Sequence, residues 1–166
     1  MPGRLQSELR QGKPFATVEV EASLNLVRTV ELMRHEVHQF LRPHGLTAAG
    51  YNVLRILRGA GEAGRTCGEI AERMVAVDPD VTRLIDRLVK HGLADRDRST
   101  TDRRVVVVKV TRAGADLCTS LEAPLDDLHR RIMGHLGADR LRALITDLES
   151  IRARLGAPTP GPSEES

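Results

Sequence analysis

The stretch from Thr66 to Gly92 carries more helix start and stop signals than any other part of the chain, and it constrains the fold most. Thr66-Cys67-Gly68-Glu69 fits a capping box, in which the threonine hydroxyl accepts from one early amide and the glutamate returns to another. A short helix is expected from Cys67 through Met74. Asp78-Pro79 then supplies a second start, aspartate as N-cap and proline at the first helical position, where its missing N–H costs nothing. This helix should run over 79–91 and stop at His91-Gly92, glycine being suited to a left-handed C-terminal cap. Two short helices joined by a turn, preceded by a helical pattern (Tyr51, Leu54, Leu57) that Thr47 can cap, make a helix-turn-helix.

Beyond Gly92 the period changes. Leu93-Ala94-Asp95 opens a strand, the polar run 97–103 makes a turn, and Arg104-Val105-Val106-Val107-Val108-Lys109-Val110 returns as a β-branched strand. The product is a basic β-hairpin, a wing, over 95–109. Thr111 then caps a further helix that begins around Ala113-Gly114.

Long amphipathic helices flank this segment. Val20, Leu24, Val27, Val30, Val37 and Leu41 follow steps of three and four and stop before Pro43. Leu117, Leu121, Leu125, Leu128, Ile132 and Leu136 form a second stripe, interrupted by Pro124, where a kink is expected. Leu141, Leu144, Leu148, Ile151 and Leu155 form a third, and Gly137 separates the two. A winged domain of roughly 70 residues cannot cover apolar stripes at both ends of the chain, so a second copy is needed to bury them.

The expected architecture is mainly α with a small β-hairpin wing: a winged helix-turn-helix domain plus a helical dimerisation region formed by the N- and C-terminal helices. Its parts are a disordered N-terminal arm (1–15), a dimerisation helix (16–44), the winged domain (45–112), C-terminal dimerisation helices (113–155) and a disordered tail (156–166) rich in Pro, Gly, Ser and Glu.

Charge indicates which part meets a polyanion. The whole chain carries a formal charge of only +2, but residues 45–112 hold 13 basic side chains against 9 acidic ones. On a wheel of the 79–91 helix, Val81, Leu84, Ile85 and Leu88 cluster on one side. Thr82, Arg83, Asp86, Arg87 and Lys90 occupy the opposite arc, the one that enters the major groove in helix-turn-helix proteins. Arg83 is the first choice for a base or phosphate contact. Arg98, Arg103 and Arg104 give the wing its reach, and Asp102 is expected to hold one of these arginines by a charge-assisted hydrogen bond. With only Phe15, Phe40 and Tyr51 as aromatic residues, stacking on unpaired bases is nearly excluded, so any nucleic acid bound is expected to be double-stranded.

These segments can be named together. LTAAGYNVLRIL, the CGEIAERM helix, VTRLIDRLVKHGLADR and the DRRVVVVKVTRAG wing resemble the MarR (multiple antibiotic resistance regulator) family over about residues 20–155. The resemblance implies a homodimeric, ligand- or oxidant-responsive transcriptional regulator, usually a repressor, on pseudo-palindromic duplex DNA. Family members often carry serine or threonine where this chain has Asp78-Pro79-Asp80. Free carboxylates there would repel phosphate, so each is expected to be an inward-turned cap or an acceptor for a cytosine amino group.

The same resemblance implies a small anionic or phenolic effector, with Arg34 and His38 on the first long helix as its contacts. Weaker alternatives are a metal on Glu31, His35 and His38, spaced along one helix face, and a redox response at Cys67, where a helix N-terminus favours thiolate. Relatives that sense peroxides carry their cysteine in the first long helix, where this chain has none. No cofactor is expected. Two cysteines without a secretory pattern, and no apolar run near the roughly 18 residues of a membrane span, fit a cytoplasmic protein that engages no membrane.

An enzyme is not expected, because nucleophile elbows, phosphate-binding glycine loops and metalloprotease helices are all missing from the sequence. The alternative is a winged-helix protein-interaction module without sequence-specific DNA binding, favoured by Asp78 and Asp80 and opposed by the basic wing.

Overall fold

The structure, a computed structural model, describes residues 4–76, 80–98 and 105–156. Asp78, Pro79, Asp102, Arg103, Arg104 and residues 157–166 of the tail lie outside the described residues. The helices are α1 (Arg4–Glu8), α2 (Val18–Leu41), α3 (Ala48–Ala60), α4 (Cys67–Arg73), α5 (Val81–Lys90), α6 (Arg112–Met133) and α7 (Ala138–Arg154). Two strands, β1 (Ala94–Arg98) and β2 (Val106–Val110), pair antiparallel with Ala94 opposite Val110 and Arg98 opposite Val106. The order α3-α4-α5-β1-β2 is a winged helix-turn-helix.

Most of the helix ends follow from local chemistry. Thr47 Oγ1 accepts from Gly50 N at 3.0 Å and Thr17 Oγ1 from Val20 N at 3.3 Å, which starts α3 and α2. Both halves of the capping box are made: Glu69 N donates to Thr66 Oγ1 at 3.2 Å and Thr66 N to Glu69 Oε2 at 2.8 Å. At the end of α5, Gly92 has φ +69° and Leu93 N reaches back to Leu88 O at 2.9 Å, the Schellman closure expected there.

Asp97 and Arg98, expected in the turn, belong to β1, and α6 runs on through Pro124; three further features differ from expectation. The second helix of the motif begins at Val81 rather than 79, because Asp80 Oδ1 accepts from Arg83 N at 3.1 Å and so takes the N-cap position. Residues 4–8, read as part of a loose arm, form α1, with Leu5 buried. The wing is also held by a third segment: Arg65 N donates to Val108 O at 2.9 Å and Val108 N to Arg65 O at 2.8 Å. A Cβ at Gly64, whose φ is +65°, would stand 2.7 Å from Val108 O, so this close approach requires glycine.

The chain divides into two compact units, the first closing at Leu125 and the second opening at Asp126, inside α6. In the first, Val53, Leu54, Leu57, Ile70, Ile85, Val108 and Cys118 are fully enclosed. α3 is the central element, packed against α2, α4, α5 and β2. Gly114 lets α6 meet the wing's root, since a Cβ there would lie 2.0 Å from Leu93 O, and Thr111 Oγ1 donates to Gly92 O at 2.7 Å. In the second unit, a 3-10 turn (Gly134–Leu136) and Gly137, at φ +76°, lead into α7. No residue of α7 is buried, and α2 in the first unit buries only Leu41. Among the described residues no helix is long and apolar enough to cross a membrane.

Candidate nucleic-acid interface

The inward side of α5 is Val81, Leu84, Ile85 and Leu88, all buried, and this packing fixes which side chains face out. Thr82, Arg83, Asp86, Arg87 and Lys90 are all exposed, as the wheel predicted. Arg83 and Arg87 line a shallow cleft with Asp80 and Leu84. The arrangement puts three cations on about two turns of one helix.

Among the described residues, the two acids beside this charge, Asp80 and Asp86, are occupied. Asp80 caps the helix, in line with the reading of it as an inward-turned cap. Asp86 Oδ1 lies 2.6 Å from Arg96 Nη2 on β1. Asp102, expected to hold a wing arginine by a charge-assisted hydrogen bond, lies outside the described residues; within them Asp86 forms an ion pair with a wing arginine. Arg96 was one of several wing cations in the sequence and was not singled out. Strand alternation could have found it, because in Asp95-Arg96-Asp97-Arg98 the two arginines share one face of the strand.

On the other face, Lys109 Nζ donates to Asp97 Oδ2 at 3.1 Å, and this bond, with the Arg98 amide on Oδ1, holds the Asp97 carboxyl below the ordinary carboxylate range. Arg98 ends β1 with its side chain exposed. Arg103 and Arg104, expected to reach deepest, lie with Asp102 outside the described residues.

The sensing candidates do not converge. Arg34 Nη1 stands 3.4 Å from Glu31 Oε1, both exposed, and His38 is exposed a turn further along α2. Among the described residues no three His, Cys, Asp or Glu side chains are grouped to hold a metal, so Glu31, His35 and His38 do not form a ligand set. Cys67 is half-buried at the first position of α4. Cys118 is fully buried, and burial pushes its thiol up, which keeps it protonated and unreactive at neutral pH.

The family model of the MarR family matches residues 46–106, which run from just before α3 into β2. The multiple antibiotic resistance protein MarR of Escherichia coli is 34% identical over 110 residues, covering 65% of this chain and 74% of that protein. The chain belongs to the MarR family. Solved structures of MarR proteins share its fold. A MarR transcription factor from Planctomyces limnophilus is 41% identical with a TM-score of 0.63, covering 81% of this chain and 98% of that one. A cysteine-to-serine mutant of Escherichia coli MarR complexed with operator DNA is 27% identical with a TM-score of 0.69, covering 90% and 99%. As a MarR family protein the chain is a transcriptional regulator and not an enzyme.

Proposed function

We propose that this MarR family protein is a homodimeric, cytoplasmic repressor that binds a pseudo-palindromic operator in duplex DNA through α5 and the wing. The observation that carries the reading is the exposed face of α5, which presents Thr82, Arg83, Arg87 and Lys90, with Asp86 paired to Arg96 and Asp80 engaged at the cap. By sequence, Arg103 and Arg104 add two further cations to the wing, with Asp102 next to them in the chain.

The dimer follows from what a single chain leaves uncovered. Val20, Leu24, Val27 and Val30 on α2 and Ile145 and Ile151 on α7 are exposed, and apolar faces of this kind mark association surfaces. Two-fold symmetry then sets the two α5 helices about one DNA turn apart, roughly 34 Å, on an inverted repeat. A dimer lying on promoter DNA excludes polymerase, which makes repression the expected sign. The effector implied by the family, a small anion or phenol, would relieve it, with Arg34 and His38 as its contacts.

The test is fluorescence anisotropy with the duplex immediately upstream of the protein's own gene and with a scrambled duplex, at two salt concentrations. Preferential, salt-sensitive binding to the first is expected. Equal or absent binding to both moves the protein-interaction module to first place.

A further inference from the structure

Arg58, in the last turn of α3, spans 64 residues of sequence to reach α6. Its Nη1 donates to Thr119 Oγ1 at 3.0 Å, and its Nη2 is paired with Glu122 Oε1. The fork of a guanidinium can serve two acceptors at once, which a lysine ammonium on its flexible stem does with less geometric definition. The pair is only part exposed, at 30% for Arg58 and 40% for Glu122. The hydrogen bond from Arg58 holds the Glu122 carboxyl below the ordinary carboxylate range.

Two residues beyond Glu122 stands Pro124, inside α6. Proline has no N–H for the Ser120 carbonyl, so the helix ladder lacks a bond at this turn. Up to that point α6 is tied to α3 and the root of the wing by the Thr111 hydroxyl on Gly92 O, by the contact of Gly114 with Leu93, by buried Cys118 and Leu121, and by Arg58, and Leu125, just past the proline, is buried as well. One residue past the proline the first compact unit ends.

We infer that Arg58 is a positioning residue for operator recognition: through Thr119 and Glu122 it latches α6 onto α3 beside the turn that Pro124 leaves without a backbone bond. The part of α6 ahead of the proline then moves with α3 and α5 as one body, and loosening it would let the protein accept operators of altered half-site spacing. The consequence for DNA rests on the dimeric, DNA-binding reading above. The latch itself does not.

The experiment compares the full-length wild type with Arg58→Lys, Glu122→Gln and the charge-exchanged pair Arg58→Glu with Glu122→Arg. In the DNA-free proteins, amide hydrogen exchange over 119–128 should rise about 2- to 5-fold in each single variant relative to α5, with the exchanged pair recovering part of the protection. On the upstream duplex, one or two base pairs inserted at its centre should weaken the wild type, and Glu122→Gln should shrink that penalty by a similar factor. Binding to scrambled DNA and its salt slope should stay as they were. Unchanged exchange in a folded Glu122→Gln protein, or a uniform rise across all helices with a lowered Tm, would overturn the latch. If the wild type binds no duplex, the DNA reading fails, and exchange over 119–128 alone decides for or against Arg58.

Discussion

Asp86 and Arg96 join the recognition helix to the wing: Asp86 Oδ1 and Arg96 Nη2 are 2.6 Å apart, the carboxylate from the outward face of α5 and the guanidinium from β1. This ion pair neutralises a negative charge on the face proposed to meet phosphate and links the wing's first strand to α5. Both side chains are more than a third exposed, so the pair adds little to stability, about 0–1 kcal/mol. Asp86→Asn should leave Tm nearly unchanged and reduce the ratio of operator to scrambled-DNA affinity. Anisotropy on both duplexes checks this, and an unchanged ratio would make the pair a surface ornament.

Arg83 projects from the first turn of α5, its own amide held by Asp80. Arg83→Ala should cost about 1–3 kcal/mol of operator binding and relax preference at one base pair in each half-site. A loss equal on every sequence would make it a phosphate contact. Arg104→Ala is expected to show that second pattern, with the salt slope lowered by about 1.

Gly114 is a packing glycine. With a Cβ 2.0 Å from Leu93 O, Gly114→Ala must push α6 off the root of the wing, at a cost toward or above the upper end of the roughly 1–3 kcal/mol typical of overpacking. Gly59, inside α3 with open space around it, is the control. Gly59→Ala should stabilise by roughly 0.4–1 kcal/mol. Thermal unfolding of the two variants should move in opposite directions.

Acid should loosen the winged unit in a defined window. Glu69 is held below the ordinary carboxylate range first by the Thr66 backbone amide, Asp97 first by Lys109 and Glu122 first by Arg58. A carboxylate depressed in the folded state contributes stability that is present above its unfolded pKa, about 4.3 for glutamate, and is lost as pH falls through the folded value. Tm should be flat from neutral pH to about 5 and fall below about 4.5. Glu69→Gln with Glu122→Gln should make that fall shallower, and an identical slope would remove both groups from the account.

What could be read from the sequence was what is local. Thr66 with Glu69, Thr47 at α3 and Gly92 after α5 act within a turn of themselves, and each stands where the pattern put it. The buried face of α5 was equally legible because 3.6-residue periodicity fixes it. Asp78 and Asp80 were two possible caps two residues apart, and Pro79 favoured the first. The structure gives the cap to Asp80, whose side chain reaches the amide three positions on. Asp86 with Arg96 and Arg58 with Glu122 were not legible, because partners 10 and 64 residues apart are chosen by how elements pack. The bridge at Arg65 involves too few residues to leave an alternation.

Association can be read from the apolar faces. Val27 is 61% exposed on α2 and Ile145 is 52% exposed on α7. Sedimentation of the wild type should give twice the 18.3 kDa chain mass, and Val27→Glu with Ile145→Glu should shift it toward one chain. A wild type that sediments as a single chain would refute the dimer.

The central claim, a two-fold dimer reading DNA with paired α5 helices, is tested most directly by hydroxyl-radical footprinting of the protein on the duplex upstream of its own gene. The account predicts two symmetric protected patches centred about one helical turn apart, roughly 10 base pairs, both weakened by Arg83→Ala. A single asymmetric patch, or two patches that Arg83→Ala leaves intact, would contradict it.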